Sequence, residues 1–286
     1  MIRECTIEEL QHIADFVHTK NSDPEQSSAY CSRTYDAIYN DFSNLILSDE
    51  HMVIGSFENG QCTGVVALYV DVERNCADCI GPFADGDFHR VGKAILDYFQ
   101  SVNHKGLSLN FFFDRRNTNC LSLMEMIKAE DNGNESILIL KREDYCPYEG
   151  EVATEPLVSS FEQQLMDLHD SIFPDNYLSG TELLASSGKN RKIYTISGSG
   201  ELFGYSVLRT PTSGTRATAE VIAVHEKHRK LGYGKALLDA VVSSAFSSGE
   251  FESLDLVVEN VNHHARQLYH SVGFKLLTEN CSFMLK

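Results

Sequence analysis

The chain has 286 residues, 42% of them apolar, and a formal net charge of −17. That length suits one large domain or two ordinary ones. The charge argues against nucleic acid or anionic lipid as partners and draws cations toward the surface. No apolar run approaches the roughly 20 residues a membrane helix needs, and the first residues lack the basic-then-apolar layout of a secretion signal, so a cytoplasmic protein is expected. Cys5, Cys31, Cys62, Cys76, Cys79, Cys120, Cys146 and Cys281 are widely spread. Only Cys76 and Cys79 form a C-x-x-C, and no second pair completes a zinc site. The reading is free thiols in a reducing compartment and no metal.

In chain order, apolar spacing predicts a helix over 10–17, a hairpin of strands 52–56 and 64–72 around E-N-G-Q, a helix over 91–99, a strand over 107–113 and a closing strand over 137–141. The stretch 143–156, E-D-Y-C-P-Y-E-G-E-V-A-T-E-P, carries two prolines and many acids without helical period. It reads as a linker between domains 1–145 and 150–286. Helices follow over 159–173 and 179–186, the second capped by Ser179 or Thr181. Strands 192–197 and 202–209 form a hairpin around G-S-G-E. A strand over 217–224, a helix over 231–246, a strand over 254–259, a helix over 262–271 and two strands within 274–285 complete the chain. Both halves give one order of elements and a mixed α/β sheet. Gly92 falls opposite Gly234, Asn117 opposite Asn262 and Leu123 opposite Leu268. A period this long points to two copies of one fold.

The stretch R-K-L-G-Y-G-K-A-L-L, residues 229–238, opens the predicted helix 231–246. Two glycines at a helix start let the backbone turn tightly with N–H groups facing outward. The unpaired amides and the positive end of the helix dipole then favour a phosphate. Arg229, Lys230 and Lys235 add charge. The G-K-[ST] ending of a P-loop and a G-x-G-x-x-G after a strand are both absent.

Arg229-Lys230-Leu231-Gly232-Tyr233-Gly234 resembles the [QR]-x-x-G-x-[GA] signature of the GNAT acyltransferase superfamily. Asn262, Ala265, Leu268, Tyr269, Gly273 and Phe274 resemble its N-x-x-A-x-x-L-Y-x-x-x-G-F signature. The resemblance is strong over the second half and faint over the first. It implies two tandem GNAT-like domains, each a mixed, mostly antiparallel twisted sheet flanked by helices, with acetyl-CoA as co-substrate. It further implies that the CoA pyrophosphate lies on the amides of Lys230, Leu231, Gly232, Tyr233, Gly234 and Lys235, beside Arg229. The pantetheine arm would lie along Ile222, Ala223 and Val224, near Asn262, with an N–H near Val224 at the acyl carbonyl. Tyr269 would protonate the departing thiolate. Glu220, on the same strand face as Ile222 and Val224 by alternation, is the candidate base; it would face the cleft or sit paired in the core. Glu259 is a second candidate. His225 is read as turn chemistry, and His263, His264 and His270 as surface residues.

In the first half Asp87 and Arg90 fall where the second has Arg229 and Gly232, and Met124 replaces the tyrosine. That half is expected to have lost the chemistry. The expected activity is transfer of an acetyl group to a primary amine, small-molecule or peptide, in a monomer or homodimer. The alternative is a non-catalytic acyl-CoA sensor or interaction module.

Overall fold

Strands rich in β-branched and aromatic residues dominate both halves, and in the computed structural model, which describes residues 1–102, 106–174, 177–211 and 214–286, they sort into two units. The first comprises Met1–Glu135 and Thr278–Lys286, the second Ser136–Leu277. Each is a mixed, mostly antiparallel sheet flanked by helices.

The first sheet runs β1 (Ile2–Glu4), β2 (Met52–Glu58), β3 (Gln61–Asp71), β4 (Cys76–Ala84), β5 (Ser108–Asp114) and β12 (Lys275–Leu285). All neighbours are antiparallel except β4 and β5. Asn59 and Gly60, both at positive φ, supply the two-residue turn that matches strand twist in the β2–β3 hairpin. α1 (Leu10–Asn21) and α2 (Tyr35–Ile46) bury Ile13, Val17, Ile38 and Phe42 with Val65 and Phe83. α3 (Phe88–Val102) and α4 (Thr118–Ile127) pack with Leu68, Leu109 and Phe111 in a separate cluster.

The second sheet runs β6 (Glu130–Lys141), β11 (Ser253–Glu259), β10 (Arg216–Val224), β9 (Glu201–Arg209), β8 (Arg191–Gly198) and β7 (Glu155–Pro156). Its parallel pair is β10–β11. α5 (Glu162–Ile172) and α6 (Gly180–Ser186) pack with Ile193, Tyr205 and Val221. α7 (Tyr233–Ser247) and α8 (His263–Val272) pack with Leu138, Leu254 and Leu256. Ser179, not Thr181, caps α6, in a reciprocal capping box with Glu182. The same helix contact recurs in both units. A methyl on Gly92 would lie 3.0 Å from Leu123 Cδ2, and one on Gly234 3.3 Å from Leu268 Cδ2.

Several elements differ from expectation. α2 carries Ile38, Phe42 and Leu45 on one buried stripe that interleaved tyrosines and asparagines obscure in sequence. β4 contains Gly81-Pro82, a pair that reads as a turn, yet the chain stays paired to β3 across a bulge. The segment 274–285 holds one strand, β12, where two were expected. It pairs with β5 through Asn280–Leu285, whereas 137–141, expected to close the first half, lies in the second unit. The stretch 143–156 also lies in the second unit and is not a loose tether. Tyr145 donates its hydroxyl to Asp239 on α7 at 2.5 Å, and the Tyr148 N–H donates to the same carboxylate at 2.7 Å. Polar and proline-rich composition signals a lack of periodicity, not a lack of contacts.

Candidate functional site

β10 and β11 pair only through Arg216–Thr218 and Ser253–Asp255. Beyond that register β11 has no partner on this side among the described residues, and a cavity of about 440 Å³ opens. Ile222, Ala223 and Val224 form one wall. Asn262, Ala265, Leu268 and Tyr269 of the α8 segment form the other, and Arg229, Lys230 and Gly234 lie at one end. Of the residues singled out in sequence, the fold thus brings Ile222, Ala223, Val224, Arg229, Lys230, Gly234, Asn262 and Tyr269 into one cavity. Ile172, Phe173, His228 and His264 also line it, although only their position after folding reveals it. His264 is therefore a wall residue as well as an exposed one.

The loop entering α7 is shaped by two left-handed residues, Lys230 at φ 65° and Gly232 at φ 83°. Gly232 supplies this conformation without steric cost. Lys230 is held in it by the surrounding turn, where Arg229 Nε donates to the Val224 carbonyl at 3.1 Å. Among the described residues, the N–H groups of Lys230, Leu231, Gly232, Tyr233 and Gly234 donate to nothing. The Lys235 N–H differs from expectation: it donates to Gly232 O at 3.1 Å, closing the first helical turn. The side chains of Leu231 and Tyr233 do not fill the bend. Leu231 is exposed, and the Tyr233 ring stacks on Phe203 with centroids 5.7 Å apart. Consecutive free amides at a helix start form a concave anion site.

Tyr269 lines the same cavity. Its hydroxyl has no hydrogen-bond partner among the described residues, and burial pushes its pKa up to about 12, because a phenolate would be poorly solvated there. Asn262 caps α8: its side-chain oxygen accepts from the Ala265 N–H at 3.1 Å, so its NH₂ group is what remains for a ligand. His225 serves a turn, accepting the Lys227 N–H at 3.3 Å. His228 stacks on Phe203 and sits 3.3 Å from Glu201.

Glu220 is placed elsewhere. A bulge falls between Ala219 and Val221, which breaks the simple alternation that linked Glu220 to Ile222 and Val224. Glu220 does not line the cavity. Its carboxylate accepts from Arg191 Nε at 2.5 Å and Nη2 at 2.8 Å, pairs with Arg209 Nε at 2.9 Å, and accepts the Tyr177 hydroxyl. Burial alone would raise its pKa. The hydrogen bonds from Arg191 and Tyr177, with the charges of Arg191 and Arg209, outweigh burial and hold it below the usual glutamate range. Such a carboxylate is a weak proton acceptor. Glu259, the other candidate base, ends β11 and is likewise absent from the lining.

The corresponding gap in the first unit is filled by the chain itself. β4 and β5 pair only through Cys76–Cys79 and Ser108–Phe111. Where β4 leaves, Ser28 bridges Phe113, and the Ala29 N–H donates to Phe112 O at 2.7 Å. Asn117, the counterpart of Asn262, caps α4 through its oxygen and donates its NH₂ to Ser27 O at 3.2 Å. The group that is free on Asn262 is thus spent on the inserted segment in this unit.

Residues 162–274 match the acetyltransferase (GNAT) family. No curated protein sequence matches the chain significantly. Among solved structures, a GCN5-related N-acetyltransferase from Sphaerobacter thermophilus superposes with a TM-score of 0.74 at 13% identity, covering 100% of this chain and 95% of that one. A tandem GNAT protein from the clavulanic acid biosynthesis pathway gives 0.69 at 12% identity, with 100% and 98% covered. A GNAT-family acetyltransferase from Colwellia psychrerythraea gives 0.59 at 13%, with both chains fully covered. At these identities the likeness is one of fold. Residues 162–274 are therefore similar to the GNAT acetyltransferase family, in a chain that has the fold of tandem GNAT proteins along its whole length.

Proposed function

We propose that the second unit transfers an acetyl group from acetyl-CoA to a primary amine, on a small molecule or a peptide, by direct attack while both substrates are bound. The observation that carries this reading is one cavity with a row of undonated amides at one end and an unpartnered, partly buried phenol in its wall. The amides of Lys230–Gly234 donate to a diphosphate, and the Arg229 and Lys230 charges strengthen the hold. The edge of β10 at Ile222 and Val224, left without a strand partner, pairs with an extended pantetheine arm as a further strand would, and the Asn262 NH₂ group donates to it. An N–H near Val224 faces the acyl oxygen as charge develops on it. The amine nitrogen forms the new C–N bond, the C–S bond breaks, and Tyr269 gives its proton to the leaving sulfur. Burial keeps that phenol protonated at neutral pH. The proton released by the amine passes to water, which returns one to Tyr269, since Glu220 is committed to Arg191 and Arg209. Holding both substrates in one cleft supplies much of the rate gain.

The test combines calorimetric titration with acetyl-CoA and thiol release over a panel of amines. Binding, with thiol released only when an amine is present, is the expected result. Binding without release for every amine would replace catalysis with acyl-CoA sensing. Gly234→Glu, which sets a carboxylate among the free amides, should abolish binding with the circular dichroism spectrum unchanged. Retained affinity in that variant would move the diphosphate away from this loop.

A further inference from the structure

The first unit has a cavity of its own, of about 290 Å³, beside the segment that fills its strand gap. Asp41 and Asn44 of α2, Asp78 of β4, and the rings of Tyr30, His51 and Tyr69 converge on it. Leu45 and Ile80, both buried, give it an apolar floor.

Its charges are unbalanced. One oxygen of Asp41 accepts from Ser32 Oγ at 2.6 Å, and one of Asp78 accepts from Asn110 Nδ2 at 3.1 Å. Neither carboxylate has an ion-pair partner among the described residues. His51 pairs with neither carboxylate among the described residues: its Nδ1 accepts the Val70 N–H at 3.2 Å. The ring stacks on Tyr69 with centroids 4.5 Å apart. Tyr69 is 54% exposed and Tyr30 37% exposed, which leaves aromatic faces open at the rim.

The second unit shows what balance looks like at the matching place. Tyr69 pairs with Asp78 on β4 as Arg209 pairs with Thr218 on β10. By that register Tyr69 and His51 stand where Arg209 and Arg191 stand in the second sheet. There, two guanidiniums neutralise Glu220 internally. Here, rings replace the guanidiniums, Ile80 falls at the glutamate's place, and the carboxylates come from Asp78, the counterpart of Thr218, and from Asp41 of α2. Two carboxylates in a half-enclosed space repel each other unless a cation joins them, and ring faces attract organic cations. Hard metal ions prefer cages of six or more oxygens, which rings do not offer.

We propose that this cavity binds a small alkylammonium ion, its charge between Asp41 and Asp78 and its carbon chain against Tyr69 and Tyr30. The site does not rest on the activity assigned to the second unit, so either reading stands if the other fails.

The experiment is titration of the full chain with n-butylammonium and choline, each against its neutral alcohol counterpart, butanol and 3,3-dimethylbutanol. The ammonium probes should bind, and the alcohols should bind at least about tenfold more weakly. Asp78→Asn and Asp41→Asn should each weaken butylammonium about tenfold, and the exposed Tyr69→Ala should weaken choline, all with unchanged melting temperatures. Absence of binding by both ammonium ions overturns the proposal. So does binding that all three variants leave intact, which would place the ligand elsewhere in the chain. A melting shift caused by calcium and lost in Asp78→Asn would replace the ammonium site with a metal site.

Discussion

Glu220→Gln separates two roles for the one buried glutamate on the central strand of the second unit. Its side chain is 7% exposed and that of Arg191 12%, so the substitution leaves a nearly buried guanidinium without its counter-charge. Breaking a buried ion pair by removing one partner costs about 3–5 kcal/mol. Arg209 is 43% exposed and adds little, and the glutamine oxygen keeps one of the hydrogen bonds, so the expected loss is about 2–4 kcal/mol at pH 7. The chain has no tryptophan, so urea unfolding followed by circular dichroism is the assay. The sign with pH follows from the depressed carboxyl pKa. Its contribution is complete above the unfolded value of about 4.3 and is lost as pH falls through the lower folded value. Wild type and variant should therefore converge in acid. Turnover, measured well below the unfolding transition, should change by no more than about threefold, whereas loss of a general base costs about 10²–10⁴-fold. Equal stability at pH 7, or a rate loss of that size in a fully stable variant, would refute the anchoring role and restore Glu220 as the base.

Four further outcomes are expected. Tyr269→Phe should lower kcat by about 10²-fold with acetyl-CoA affinity intact; an unchanged kcat would remove Tyr269 as the proton donor. Because its pKa is raised to about 12, kcat should show no decline from this group near the ordinary phenol value of about 10, and a limb there that vanishes in the phenylalanine variant would contradict the burial argument. Calorimetry should give one CoA per chain, since Ser28 and Ala29 occupy the β5 edge in the first unit; a second site of similar affinity would mean that this segment yields. Removing residues 278–286 strips β5 of its pairing with Asn280–Leu285 and Phe113 of its stack on Phe283. An exposed sheet edge and core ring favour aggregation, so a truncated chain that stays monomeric and melts like the full one would argue against β12 as part of the first unit.

Periodicity, the two-glycine loop and the asparagine-to-phenylalanine pattern of α8 were enough to read the fold class, the duplication and most of the cavity wall from the amino-acid order alone. These signals are local: helical spacing, a backbone that must turn at Gly232, and a cap at Asn262 all act within a few residues. The partner of a strand edge is not local. Nothing near residues 136–141 or 278–286 announces that the two segments belong to different units, because alternation specifies a face and leaves the neighbour open. The same holds for side-chain direction after a bulge, which sent Glu220 to Arg191 and Arg209 instead of to the cavity. It holds also for Ser28 and Ala29, polar and small in sequence, which close one strand gap while its counterpart stays open. Tertiary packing decided these points, since each depends on which backbone edge or buried charge is left unpaired once the sheets have formed.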